Sequence, residues 1–128
     1  MAGKIVVDAS VVLAFLNREQ GAYDALAVFP EALISVVNIT EIVQVGIRFG
    51  RDVDEDLDML KLCGLEVVEA DAKVARLAGE LEATTRDQDI SLADRFCIAL
   101  GIERDLPLLT ADRIWTELKL PVEVRQLR

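Results

Sequence analysis

Four carboxylates, Asp8, Glu41, Asp94 and Asp112, stand where segments of different local preference meet. Asp8 closes the apolar run Ile5-Val6-Val7, and Asp112 follows Pro107-Leu-Leu-Thr-Ala. Asp94 and Glu41 lie near the starts of two helical-looking segments. Carboxylates gathered in one crevice raise one another's proton affinity unless a cation joins them, so such a set favours hard divalent ions. The chain contains no histidine. That removes Ser-His, Cys-His and imidazole–metal chemistry, and leaves carboxylates, hydroxyls, amines or metals to carry any reaction. Oxygen-only ligation points to Mg²⁺ or Mn²⁺ rather than zinc or copper. Such ions activate water and neutralise the oxygens of a phosphodiester.

The elements that must position these acids can be read from periodicity. Lys4 to Asp8 has the β-branched character of a short buried strand and feeds directly into a helix over Ser10 to Arg18. A second helix covers Gly21 to Phe29, Pro30 breaks it, and Ala32 to Ser35 is expected as a strand. From Asn38 the residues Ile39, Ile42, Val43 and Ile47 recur at helical spacing, with Glu41 in the first half and Gly50 at the close. Asp52 to Cys63 is an acidic amphipathic helix ended by Gly64, Leu65 to Glu69 a strand, and Asp71 to Thr84 a further helix. Thr85 to Ile90 is expected as a polar loop. Ser91 then starts a helix through Asp94, Cys97 and Ile102, and Pro107 to Thr110 and Pro121 to Val124 are the last strands.

Alternating strands and helices imply a mainly parallel sheet covered on both faces, a three-layer α/β/α sandwich. With 128 residues and neither linker nor repeat, one domain over residues 1–128 is expected. In such sheets ligands collect beyond the carboxyl ends of the strands, where Asp8 and Asp112 fall. Convergence of all four acids on one crevice is therefore the expectation.

Composition narrows the surroundings. Apolar residues make up 52% of the chain and charged residues 29%, which suits a soluble globular protein. The longest charge-free runs, Ala9 to Asn17 and Ala32 to Thr40, fall well short of the roughly 20 residues that cross a bilayer. The first residues lack the pattern of a secretory signal, so a cytoplasmic location is expected. Cys63 and Cys97 have no metal-binding spacing and are expected as buried free thiols. A net charge of −9 argues against a simple nucleic-acid binder. The four acids alone do not account for it, since 14 basic side chains would still face 19 acidic ones. Much of the remainder is the run Asp52, Asp54, Glu55, Asp56 and Asp58, which suits a helix N-terminus.

Four motifs, Val-Val-Asp-Ala-Ser at 6–10, Ile-Ser-Val-Val-Asn-Ile-Thr-Glu ending at Glu41, Ser-Leu-Ala-Asp at 91–94 and Leu-Thr-Ala-Asp at 109–112, follow one another in an order that resembles the PIN-domain ribonucleases. By size and motif the chain is similar to the VapC-type toxins of bacterial and archaeal toxin–antitoxin pairs. The resemblance implies a PIN-like fold and a Mg²⁺- or Mn²⁺-dependent endoribonuclease, a homodimer held inactive by a cognate VapB-like antitoxin. It implies that Asp8, Glu41 and Asp94 are the three core metal acids and that Asp112 is a fourth, more variable one. Ser10 and Thr110 are then hydroxyl neighbours that could orient ligands or water.

Each of these residues also has a plain structural reading. Asp94 could be a helix-start charge, Asp112 an N-cap ahead of Arg113 to Leu118, and Glu41 a residue of a solvated face. For Asp8 this reading is weaker, because an acid ending a buried strand needs a partner or a metal. Arg95 and Arg113 each follow a metal acid and could hold a substrate phosphate, or equally face solvent, since adjacent helical residues point about 100° apart. Trp115, Phe15, Phe29, Phe49 and Phe96 sit among aliphatics and suit the core or a dimer contact better than base stacking. Two rival functions remain. One is a haloacid-dehalogenase-like phosphatase with Asp8 as nucleophile, although Ser10 occupies the place of its usual second acid. The other is a PIN-like module that binds without catalysis.

Overall fold

The computed structural model describes residues 4–128. Residues 1–3, which bear on the expected lack of a secretory signal, lie outside that range. The chain runs β1 (Ile5–Val7), α1 (Ala9–Leu16), α2 (Ala22–Val28), a 3₁₀ turn (Phe29–Glu31), β2 (Ala32–Ser35), α3 (Val36–Arg48), α4 (Val53–Leu62) and β3 (Glu66–Val68). It continues through α5 (Ala72–Glu80), α6 (Glu82–Thr85), α7 (Leu92–Arg104), β4 (Leu108–Thr110), a second 3₁₀ turn (Arg113–Glu117) and β5 (Val124–Gln126).

All five strands belong to one sheet, ordered β3-β2-β1-β4-β5, and every pairing is parallel. Strand side chains alternate between faces, and both faces are covered. Ile5, Val7, Ala32, Ile34 and Leu109 pack with residues of α1, α2, α3 and α4, including Val11, Val12, Ala25, Ile42 and Leu60. Val6, Leu33 and Leu108 point the other way and pack with Val74 and Ala78 of α5, Cys97 and Ile98 of α7, and Trp115. This is the three-layer α/β/α sandwich that the alternation implies.

The departures from the sequence expectation have local causes. The first helix starts at Ala9 because Asp8 itself caps it. Helix α3 starts at Val36 rather than Asn38, since Ser35 Oγ accepts the Val37 N–H at 3.2 Å. That places Asn38 in the first turn. The helix expected over Asp71 to Thr84 ends at Glu80, and the stretch expected as a loop from Thr85 opens on the last residue of the short helix α6. Thr85 is buried there, its hydroxyl donating to the Leu81 carbonyl at 2.8 Å. The last strand lies later than expected, at Val124–Gln126 rather than Pro121–Val124, in keeping with proline's inability to donate to a ladder.

Phe15 and Phe29 meet edge to face at 5.3 Å, and Phe29 and Trp115 are fully buried. Of the two roles expected for Phe49, core or dimer contact, the core is excluded: it is 62% exposed, with the Arg51 guanidinium over its ring. Cys97 is buried, but Cys63 only partly so. Among the described residues, no helix is long and apolar enough to cross a membrane.

Helix α7 presses on β4 at Gly101, where an added Cβ would stand 2.3 Å from Leu108 Cδ2 and 3.2 Å from the Leu106 carbonyl oxygen. Gly79 on α5 has open space instead. Gly101→Ala should therefore cost about 1–3 kcal/mol in chemical denaturation through overpacking. Gly79→Ala should add roughly 0.5–1 kcal/mol through helix propensity. Equal effects of the two substitutions would contradict this packing.

Candidate active site

The strand order runs outward from β1 through β2 to β3, then returns to β4 and β5 on the opposite side, so the topological switch point lies between β1 and β4. Parallel sheets bind ligands beyond the strand ends at that point. Asp8 leaves β1 there, and Thr110 ends β4 beside it.

Asp8 is 3% exposed, yet both of its oxygens are engaged. Oδ1 accepts from Ser10 Oγ at 2.6 Å and from the Val11 N–H at 3.3 Å. Oδ2 accepts from Thr110 Oγ1 at 2.8 Å. The two hydroxyls are themselves tied down: Ser10 Oγ accepts the Ala111 N–H at 2.9 Å, and Thr110 Oγ1 accepts the Asp112 N–H at 3.0 Å. Ser10, Thr110 and the chain after β4 thus form one network around the carboxylate. Burial pushes the Asp8 carboxyl up to about 7; the Ser10 and Thr110 hydrogen bonds pull it down, and the charge of Asp94 raises it further.

Asp94 stands in the first turn of α7 and makes a capping box with Ser91. Ser91 Oγ accepts the Asp94 N–H at 3.1 Å, and Asp94 Oδ2 accepts the Ser91 N–H at 3.0 Å. Burial raises the Asp94 carboxyl, the Ser91 bonds lower it, and the charges of Asp112 and Asp89 raise it again. Glu41, in the second turn of α3, is raised by burial and then by Asp94. Asp112 is exposed and caps the second 3₁₀ turn by accepting the Ile114 N–H at 3.1 Å.

Asp94 is therefore the electrostatic centre of the group: its charge acts on Asp8 and on Glu41, and that of Asp112 acts on it. The other three acids are thus linked through Asp94 and not directly to one another. Among the described residues, however, no three acidic or cysteine side chains stand close enough together to hold a metal ion as they are placed. One turn past Asp94, the Cys97 thiol is pushed well above its ordinary range by burial, Asp8 and Asp94, which keeps it protonated and inert.

Arg95 is turned away from the acids. Arg95 Nε donates to Thr85 Oγ1 at 3.0 Å, turning the side chain toward α6. Arg113 is exposed on the 3₁₀ turn. A groove of about 950 Å³ beside α1, α2 and α4, lined by Phe15, Arg18, Tyr23 and Arg51, contains none of the four acids. Sequence reasoning gave Ser91 no part beyond starting a helix, although the Ser-x-x-Asp spacing of a capping box was there to read. It also passed over Asn38, which is fully buried three residues before Glu41.

The sequence model of the PIN domain family matches residues 5–120. The chain belongs to the PIN domain family. Its fold is that of solved PIN proteins of similar length. DNA-bound VapBC from Salmonella typhimurium superposes with a TM-score of 0.72 at 14% identity, covering 99% of this chain and 100% of that one. VapC20 of Mycobacterium tuberculosis, a sarcin-ricin loop cleaving toxin, gives 0.73 at 14% identity, covering 89% and 94%. VapBC-5 of the same organism gives 0.65 at 23% identity, covering 99% of each chain. No curated protein sequence matches the chain.

The buried acid of this PIN domain makes stability depend on pH. The Asp8 carboxyl titrates at 3.8 when exposed and at about 7 when folded, so between these values the folded state holds the proton more tightly. The stabilising contribution is fully present below 3.8 and is lost as pH rises through 7, about 4 kcal/mol in all. In chelator-treated protein, the stability of the parent relative to Asp8→Asn should fall by that amount between pH 4 and pH 8. A difference that does not change with pH in chemical denaturation would contradict the assignment.

Proposed function

We propose that this PIN domain, comprising the whole chain, is a divalent-metal-dependent endoribonuclease and the toxin of a VapBC-type toxin–antitoxin pair. Asp8, Glu41, Asp94 and Asp112 are its metal-holding acids. The observation that carries this reading is the buried Asp8 carboxylate, oriented by two hydroxyls at the switch point, with the charge of Asp94 bearing on it and on Glu41.

The donor set suits Mg²⁺ or Mn²⁺. It consists of carboxylates alone; Asp94 repels Asp8 and Glu41, and these three bind protons more tightly than usual, two costs that a divalent cation relieves. When bound, such an ion supplies water activation and neutralises the charge of a phosphodiester. The chain's own part is positional. Ser10 and Thr110 hold the Asp8 carboxylate in one orientation and, by accepting the Ala111 and Asp112 N–H groups, set where the chain carrying Asp112 leaves β4. The Ser91 capping box does the same for Asp94. Attack by water on phosphorus expels the 3′-oxygen and leaves a 5′-phosphate end.

One observation weighs against the phosphatase reading: Ser10 donates to the Asp8 carboxylate from the position where a second acid would be required. The VapBC structures support an antitoxin partner for this chain. The negative charge of the pocket favours a VapB-like protein that presents a basic side chain to it. The toxin itself is a homodimer that acts in the cytoplasm, where its RNA substrate lies.

Cleavage of total RNA in Mg²⁺ or Mn²⁺ should fall at least about 100-fold in Asp8→Asn and Asp94→Asn, more than the loss typical of supporting residues around a metal. Chelator should abolish it, and the cut ends should carry 5′-phosphate. Uncut RNA with parent and variant alike would favour a binding module, and 2′,3′-cyclic phosphate ends would rule out attack by water. Mn²⁺ should also raise the melting temperature more at pH 8 than at pH 5, because the ion displaces protons from raised carboxyls.

A further inference from the structure

Asn38 is a buried polar residue that packing does not explain. Its side chain is fully buried in the first turn of α3. Nδ2 donates to the Ala93 carbonyl of α7 at 3.2 Å, while Oδ1 is buried with no hydrogen-bond partner. An unsatisfied buried acceptor costs stability, and replacing a partly satisfied polar group by an apolar one of the same shape is close to neutral or favourable. Leucine has that shape, so folding alone gives no reason for an amide here.

The single bond it makes points to another role. Ala93 directly precedes Asp94, and Glu41 lies three residues beyond Asn38, the spacing that puts two residues on one helix face. Helices α3 and α7 pack against each other, yet the two carboxylates they carry repel. Something must hold the two first turns together against that repulsion. Each is fixed within its own helix by a serine cap, Ser35 on α3 and Ser91 on α7. Between the helices, the polar tie at this level is Asn38.

We propose that Asn38 is a positioning residue that joins the first turn of α3 to that of α7 and so sets the spacing at which Glu41 and Asp94 receive a divalent cation. The inference rests on the metal-holding role given to these acids above. Supporting groups of this kind orient metal ligands, and their loss typically weakens metal binding by about 10–100-fold.

The test uses the full chain and two readouts, Mn²⁺ affinity by titration calorimetry and the denaturation midpoint in chelator. Asn38→Leu should weaken Mn²⁺ binding by about 10–100-fold while its midpoint stays equal to the parent's or rises. Ile42→Val, a core substitution one turn further along α3, should lower the midpoint and leave the affinity unchanged. If Asn38→Leu binds Mn²⁺ like the parent while Asp94→Asn does not bind it, the positioning role is wrong. The role is equally wrong if affinity is lost only in step with the midpoint, or if Ile42→Val loses as much affinity. Mn²⁺ binding by Asp94→Asn at the parent's affinity would instead remove the metal site itself, and the role of Asn38 with it. Should Asn38→Leu fail to fold, Asn38→Ser, too short to reach Ala93 but able to bond within its own helix, is judged by the same comparison.

Discussion

The Asp8 carboxylate is taken out of water where β1 turns into α1, and much of the local architecture answers that one burial. Three donors converge on it, two of them hydroxyls that are themselves held by backbone N–H groups of the segment after β4. The pairing of β1 with β4 sets Thr110 beside Asp8, so sheet register and carboxylate orientation are a single constraint. Even so, the donors only partly offset desolvation, and the group remains near its ionisation point at neutral pH. A site left in that state takes up a cation readily, because the proton it would displace is only loosely favoured.

Two of the four acids are N-caps, and a third belongs to a capping box. Asp8 caps α1, Asp94 completes the capping box of α7, and Asp112 caps the second 3₁₀ turn. The structural and functional readings of these residues are therefore not rivals. In a parallel sheet the helix following a strand begins at that strand's carboxyl end, so a capping acid sits at the edge where ligands bind. The positive end of the helix dipole then offsets part of the repulsion among the acids. Glu41 has no cap to fix it. It lies within α3, and its approach to Asp94 depends on how α3 and α7 are joined.

This division explains what could be read from the sequence. The layers, the parallel sheet and the positions of Asp8, Asp94 and Asp112 at element boundaries follow from periodicity and from acids that end apolar runs. Those signals are local. The helical spacing is legible only from Asn38, and it is the Ser35 side chain, capping the Val37 N–H, that starts α3 two residues earlier at Val36. Asn38 was passed over because a polar residue near a helix start is ordinarily a cap, and its burial depends on α7, more than fifty residues later in the chain. Core and dimer contact are indistinguishable for Phe49 because aromatic type carries no information about which face of a helix end meets solvent. The partner of Arg95 is hidden for a similar reason: Thr85 ends the short helix α6, at a position where the sequence describes the start of a loop.

The acidity of the chain separates into two parts with different consequences. The run from Asp52 to Asp56 is used within α4, where Asp52 caps the helix and Asp56 pairs with Arg51 at 2.9 Å. That charge serves local structure and lies on another element from the four acids. The acids at the switch point repel a phosphate directly, and Arg95 is not turned to compensate, since it is bonded to Thr85. A polyanion can therefore approach this edge only after the pocket's own charge has been neutralised. Under the proposed function, a cation that fills the pocket would admit RNA, whereas a basic side chain from an antitoxin would supply the same neutralisation and block the edge. Substrate access and inhibition would then be two occupancies of one electrostatic demand, set by the buried carboxylate at the end of β1.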